Sequence, residues 1–270
     1  MATLFLKLGG SLITDKAHRE TPRPDVIRRL AAEIREASAA DPELRLVLGH
    51  GSGSFGHYAA QEHRVAEGIS PGGDWRGFAE TAAAAARLNR IVADTFLEEG
   101  LPVLSFAPSA SALARGGRLV EMSWEPIRDA LERGLIPLVY GDAGFDEAQA
   151  ACILSTEEVF AYLARHLQPE RIILASDVEG IYSGEPQRDA GARLLARISP
   201  AEWPRLEKRL GGSPAVDVTG GMLGKARRMV ELVQAQPSVQ VHFVSGQRPG
   251  EVKEVLLDRH YTRGTILAFS

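Results

Sequence analysis

The 270-residue chain has a single cysteine, so no disulfide can form within it. That fits a reducing compartment. Cys152 lies in the apolar run Ala150-Ala151-Cys152-Ile153-Leu154, the setting of a small core residue. There is no dense run of basic side chains. With 31 Lys and Arg against 35 Asp and Glu, the formal net charge is −4. Affinity for a phosphate backbone needs clustered Lys and Arg, so no nucleic-acid partner is expected. No window reaches about 18 uninterrupted apolar residues, so no membrane span is expected. The start, Met1 to Gly10, has no basic stretch followed by a long apolar one. It therefore reads as no secretory leader, and the expected location is cytoplasmic. Apart from Ala82 to Ala86, there is no low-complexity segment, and there is no internal repeat.

What is present is ordinary for a globular protein: 44% hydrophobic and 24% charged residues. A chain this long buries roughly 70–75% of its unfolded surface and needs no staples. Short apolar runs alternate with helical patterns. Strands are expected at Leu4 to Leu8, Leu44 to Leu48, Pro102 to Phe106, Ile136 to Tyr140, Arg171 to Ala175, Val239 to Val244 and Thr265 to Phe269, those at 102–106 and 136–140 being buried. Helices are expected at Pro24 to Ala39, Trp75 to Glu99, Glu125 to Arg133, Glu157 to His166 and Met222 to Ala235. Ser183 to Arg193 and Ser199 to Asp217 read as mobile loops. Apolar strands separated by helices imply an α/β fold with a mainly parallel sheet covered on both faces. No linker divides the chain. A soft boundary at Leu167-Gln168-Pro169-Glu170 splits it into two lobes of one sheet.

In such a sheet, ligands gather beyond the carboxyl ends of the strands. Four glycine-containing segments follow strands or open helices: Lys7-Leu8-Gly9-Gly10-Ser11, Gly49 to His57, Ser176 to Tyr182, and Asp217 to Lys225, which runs into a helix. Glycine lets several N–H groups converge on phosphate oxygens, and a helix start adds positive potential. Each loop alone is ordinary turn chemistry. Lysines are scarce here, yet Lys7 and Lys225 sit in these segments, and Lys16 closes Ile13-Thr14-Asp15-Lys16 just after the first. Ammonium groups with convergent N–H groups suit a transferring phosphoryl group. No Gly-x-x-x-x-Gly-Lys-Ser/Thr motif occurs, which argues against a P-loop enzyme. Gly51-Ser52-Gly53-Ser54-Phe55-Gly56 matches Gly-x-Gly-x-x-Gly but follows the second strand, and no clear acidic residue follows at the required distance. A nicotinamide dehydrogenase is therefore disfavoured.

Taken together, the four segments and Tyr140-Gly141-Asp142 resemble the amino acid kinase superfamily and, within it, the isopentenyl phosphate kinase family. The resemblance spans nearly the whole chain in order. It implies a three-layer αβα sandwich forming a homodimer, a single domain over 1–270. The acceptor would lie in an N-terminal lobe of about 1–167 and the nucleotide in a C-terminal lobe of about 168–270. It implies phosphoryl transfer from ATP to isopentenyl phosphate, a step of an alternative mevalonate route to isoprenoids, with Mg²⁺ neutralising the triphosphate. No side chain is assigned as a metal ligand.

By the same resemblance, Lys7, Leu8, Gly9, Gly10 and Ser11 would hold the β- and γ-phosphates. Lys16 would stabilise the transition state. Ser52 and Gly53 would lie between acceptor and donor, and His57 would donate to the acceptor phosphate. Asp177 and Tyr182 would line the nucleotide site, and Gly221 and Lys225 would contact ATP phosphates. Lys7, Lys16, His57 and Lys225 form the expected catalytic set. His50, just before the glycine-rich turn, is expected to be structural.

Two departures from the family pattern stand out. Ser52 replaces a usual glycine. Leu154-Ser155-Thr156-Glu157-Glu158 stands where the family has Ser-Gly-Asp. Thr156 thus takes the place of a glycine facing the acceptor phosphate, and Glu157 that of an aspartate orienting the lysines. Ser155 with Glu158 also reads as a capping box. The acceptor's tail is expected between Tyr58 and Leu88, against Ile69, Phe78 and the alanines from Ala82 to Ala86. The alternatives are a fosfomycin-type phosphonate kinase and a non-catalytic ligand sensor on the same fold.

Overall fold

The computed structural model describes residues 3–184, 189, 191–211 and 222–269. In chain order the elements are β1 (Thr3–Leu8), α1 (Gly10–Ile13), α2 (Pro24–Ala40), β2 (Arg45–His50), α3 (Gly53–Glu62), α4 (Arg76–Glu98), β3 (Val103–Ser105), β4 (Leu113–Arg115), β5 (Arg118–Glu121) and α5 (Glu125–Glu132). They continue with β6 (Ile136–Tyr140), β7 (Asp142–Asp146), β8 (Ala150–Leu154), α6 (Thr156–Leu167), β9 (Arg171–Ser176), β10 (Arg197–Ile198), α7 (Trp203–Gly211), α8 (Met222–Ala235), β11 (Gln240–Ser245), α9 (Glu251–Leu257) and β12 (Thr265–Leu267).

Eight strands form the main sheet in the order β10-β12-β11-β9-β1-β2-β6-β3. It is parallel except where β12 runs against β11. β1 lies at its centre, between β9 and β2. A second, four-stranded sheet, β5-β4-β7-β8, stands beside it. Period-two alternation divides the core into two layers. Leu4, Leu6 and Leu8 pack with α2, α4 and α9 on one face. Phe5 packs with α5, α6 and α8 on the other. Helices therefore cover both faces, as the alternating pattern implied.

That alternation also sets up the site. Phe5 and Lys7 share a face of β1, two residues apart. Phe160 and Glu157 share a face of α6, three residues apart. The Phe5 and Phe160 rings lie 5.0 Å apart. One step further toward the carboxyl end of the strand, Lys7 meets Glu157.

Three sequence readings need correction. Pro102 to Phe106 is not a buried strand. Only residues 103–105 are extended, on the sheet's edge, with Leu104 45% exposed. The expected loop from Ser199 to Asp217 contains α7, because Trp203 and Leu206 are spaced to bury one helical face. Residues 212–217 of that loop lie outside the described residues. The capping box is only half present: Ser155 Oγ accepts from the Glu158 N–H at 3.1 Å, but the Glu158 carboxylate turns to Leu119 and Arg228. Helices α1, α3 and α9, strand β10 and the second sheet were not anticipated. Cys152 is buried on β8 as expected, and burial pushes its thiol up to about 12.

Candidate active site

Strands β1, β2, β6, β9 and β11 end on one side of the sheet, and the first two glycine-rich loops interlock there. Gly9 N–H donates to the Ala175 carbonyl at the end of β9. A Cβ on Gly10 would sit 2.5 Å from Gly53 N and 2.7 Å from Gly53 Cα. No side chain fits at position 10 without separating the loops. Thr14 locks the contact: its hydroxyl donates to the Gly10 carbonyl at 2.7 Å and accepts from the Ser54 N–H at 3.0 Å.

Gly53 adopts φ +51°, and an added Cβ there would come within 2.7 Å of Thr14 Cγ2. Glycine is required at 53 on both counts. Ser52, by contrast, has φ −70° and ψ −12°, ordinary helical backbone. Its replacement of the usual glycine therefore costs no strain. Its side chain lies over Gly56, whose added Cβ would be 2.5 Å from Ser52 Cβ.

The first loop also reaches the third. Ser11 Oγ donates to Asp177 Oδ1 at 2.8 Å. Thr156, at the start of α6, donates its hydroxyl to the His50 carbonyl at 2.7 Å. A Cβ on Gly141 would be 3.6 Å from both Ser52 N and Thr156 Oγ1, so these two groups are neighbours across Gly141.

The charged centre is Lys7. Its ammonium is buried and paired with Glu157, and both side chains are nearly inaccessible. Burial draws the Lys7 pKa down to about 8; Glu157 opposes that fall and the charge of Lys225 adds to it. The positive charges of Lys7 and Lys225 together hold Glu157 below the usual carboxylate range, against its own desolvation. Lys7 and Lys225, 218 positions apart in sequence, thus act on one carboxylate. Glu157 stands where the family pattern has an acid, paired with Lys7.

His50 is structural, as expected. It is fully buried, stacked on Tyr140 at 5.5 Å, and desolvation with help from Lys7 lowers its pKa to about 4. The neutral ring places its proton on Nδ1, which donates to the Gly51 carbonyl at 3.0 Å. Nε2 then accepts. Asn89, 3.2 Å away, serves it when its amide nitrogen faces the ring and its oxygen faces the Ser105 hydroxyl. The pair fixes the carbonyl from which the second loop departs. Asn89 and Thr14 were not singled out in the sequence, since their partners lie in other segments.

Lys16 is in an exposed loop, its carbonyl 3.2 Å from the Tyr58 hydroxyl. His57 lies in the second turn of α3 and is exposed. Tyr182 donates to Glu179 Oε2 at 3.0 Å. Gly221 lies outside the described residues. Among the described residues, no three His, Cys, Asp or Glu side chains cluster as a metal site.

Beyond Gly141, β7 leads to an apolar patch. Phe78, Ile69 and Ala82 pack with Val65, Ala143, Ala151 and Ile153. Phe145 lies 4.8 Å from Phe78 and 5.7 Å from Trp75, ring to ring. Of the five alanines expected there, only Ala82 joins this cluster. Ala84 is buried in the main core with Leu88 and α2 because it faces the other side of α4, and Ala85 is buried as well.

Comparison with known proteins agrees with this layout. Residues 2–245 match the Amino acid kinase family. The chain is 38% identical to an isopentenyl phosphate kinase of Methanothermobacter thermautotrophicus, covering 97% of both chains. It is 32% identical to the isopentenyl phosphate kinase of Methanocaldococcus jannaschii, covering 98% of both. A crystallographic isopentenyl phosphate kinase superposes with TM-score 0.84 at 34% identity, over 98% of this chain and 100% of the other. Fold, interlocked loops and these likenesses agree: the chain is a kinase that belongs to the amino acid kinase family, in its isopentenyl phosphate kinase group.

Proposed function

We propose that the chain transfers the γ-phosphoryl group of ATP to isopentenyl phosphate, giving isopentenyl diphosphate and ADP. The observation that carries this reading is the buried Lys7–Glu157 pair, on which the charge of Lys225 also bears, beside two glycine-rich loops. The acceptor is a phosphate monoester with a charge of about −1.5 to −2 at neutral pH, and its oxygen attacks without a strong base. The obstacle is repulsion between two anions. Cationic side chains and fixed N–H groups remove it by neutralising charge and holding the reactants in line.

In this reading an acceptor oxygen bonds to the γ-phosphorus as the bond to the β,γ-bridging oxygen breaks, and ADP leaves with that electron pair. Lys7 and the N–H groups of residues 8–11 hold the β- and γ-phosphates. Gly221 and Lys225 contact the ATP phosphates. Ser52 and Gly53 lie between donor and acceptor. His57 donates to the acceptor phosphate. Thr156 has committed its hydroxyl to His50, which leaves its backbone N–H for the acceptor. Lys16 stabilises the transition state. Asp177 and Tyr182 border the nucleotide. Mg²⁺ supplies charge neutralisation as part of the ATP complex; such an ion keeps several waters and needs few protein ligands.

The acceptor belongs with residues 1–167 and the nucleotide with 168–270. The isopentenyl tail goes to the patch of Ile69, Phe78 and Ala82. A homodimer working in the cytoplasm, in an alternative mevalonate route, completes the reading. No described helix is long and apolar enough to cross a membrane.

A coupled assay of ADP release, run with isopentenyl phosphate, with fosfomycin and without acceptor, tests it. Turnover with isopentenyl phosphate is expected. Turnover with fosfomycin alone would replace the reading by a phosphonate kinase, and nucleotide binding without turnover would replace it by a sensor.

A further inference from the structure

Glu158 follows Glu157 at the start of α6 but faces different partners. Its carboxylate accepts from the Leu119 N–H at 2.8 Å and from Arg228 Nη2 at 3.0 Å, and Arg228 Nε lies 2.6 Å from its second oxygen. Arg228 Nη1 continues to Glu231 at 2.9 Å. Glu231 meets Arg118 at 2.8 Å, and Arg118 returns to Glu158 at 3.4 Å. The four side chains close a ring of alternating charge across β5, α6 and α8. Its inner half is buried, with side-chain exposures of 6% for Glu158 and 13% for Arg228. Its outer half is open, with 35% for Glu231 and 49% for Arg118.

Arg228 is one helical turn after Lys225, so the two share a face of α8. Adjacent glutamates of α6 therefore receive that face at two points: Glu157 feels Lys225, and Glu158 binds Arg228. Lys225 is brought toward a like charge, Lys7, which pushes the start of α8 away. Glu157 answers only part of that push, because it is already committed to Lys7. The charge-assisted Arg228–Glu158 contact, one turn along the helix from Lys225, resists it.

We propose that Glu158 and Arg228, closed into a ring by Arg118 and Glu231, are positioning residues that hold Lys225 in place for the phosphates of ATP. The inference rests on the kinase reading above. Without the ring, ATP itself must draw Lys225 inward, so nucleotide binding and the chemical step suffer together while acceptor binding does not.

The test is steady-state kinetics of Glu158→Gln, Arg118→Gln and Glu231→Gln beside the wild type. Glu158→Gln should raise KM for ATP and lower kcat, each about tenfold, with KM for isopentenyl phosphate within about twofold, since a small displacement of a positioned group costs this much or more. The two outer variants sit on open side chains and remain folded. Each should move the same parameters by about two- to threefold, in line with the small worth of exposed pairs. Wild-type KM for ATP in all folded variants overturns the proposal. So does a parallel rise in both Michaelis constants, which marks a general loss of structure. Should Glu158→Gln fail to fold, the outer pair decides alone. Should the wild type show no turnover with isopentenyl phosphate, the functional reading fails instead, and calorimetric ATP affinity of the same variants still reads the ring.

Discussion

Lys7 and Glu157 form a buried ion pair across 150 positions of sequence, at the point where the central strand and α6 converge. The pair is placed by the step below it, where Phe5 packs on Phe160. Buried pairs of this kind contribute little net stability, but breaking one leaves an uncompensated charge. Glu157→Gln should therefore destabilise the fold by about 3–5 kcal/mol. It should also lower the Lys7 pKa further, because Glu157 is the group that supports the charge there. Urea unfolding together with kcat/KM for ATP checks both effects; wild-type values of both would contradict the pairing.

The pH dependence of activity follows from Lys7. With its pKa near 8 in the free enzyme, kcat/KM for ATP should fall as pH rises through about 8. The fold should not weaken on this account. The folded pKa is below the unfolded value of about 10.4, so between the two the unfolded chain holds more protons and stability from this group rises with pH. Activity and unfolding midpoints measured from pH 7 to 9.5 should therefore diverge. A flat rate profile across that range contradicts the assignment.

At the acid end, two buried histidines matter. Burial lowers both His50 and His242 to about 4. Each is neutral in the fold and charges readily once unfolded, near pH 6.5. Their contribution is therefore whole above about pH 6.5 and is lost as pH falls toward 4, at up to about 3 kcal/mol each. Among the described residues, neither ring nitrogen of His242 has a hydrogen-bond partner. His242→Leu should accordingly flatten the acid side of the stability profile, read as urea midpoints at pH 7 and pH 5. An unchanged difference between the two pH values would contradict it.

Backbone geometry separates Ser52 from Gly53. Gly53→Ala places a side chain at φ +51° and against Thr14, costing on the order of 1–3 kcal/mol and separating the two loops. Ser52→Gly relieves no strain and should leave activity within about threefold, a loosening of well under 1 kcal/mol. Thermal midpoints and kcat for the two variants check the contrast, and equal effects would contradict it.

The apolar patch makes a prediction about acceptor size. Ala82→Leu should shorten the preferred tail and Phe78→Ala should lengthen it, because both line the cluster beyond Gly141. Ala84→Leu should instead destabilise the core without changing preference, since Ala84 is 1% exposed among α4 contacts in the main core. Relative kcat/KM for alkyl phosphates of increasing length reads this directly.

Much of this site was legible in the sequence because its chemistry is local. Lysines in glycine-rich turns after a strand or before a helix pointed to Lys7 and Lys225, and the run from Ser155 to Glu158 marked the start of α6. What stayed hidden depends on partners far along the chain. Nothing near Asn89 shows that it serves His50, and nothing near Glu158 shows that Arg228 arrives 70 positions later. The second sheet escaped because its strands are short and one carries Asp142 and Asp146, which bind N–H groups of neighbouring turns and break the apolar pattern. Helix α7 escaped because charge and proline surround its two buried anchors, Trp203 and Leu206.

The account depends on Lys7 and Lys225 serving the same phosphates, and a double-mutant cycle measures that. Lys7→Met, Lys225→Met and the double variant are compared by kcat/KM for ATP. If the two ammonium groups act on one bound triphosphate, the effects are coupled, and the double variant loses at least about tenfold less than the product of the single losses. Simple multiplication of the two losses would place the lysines in independent roles and contradict the shared site.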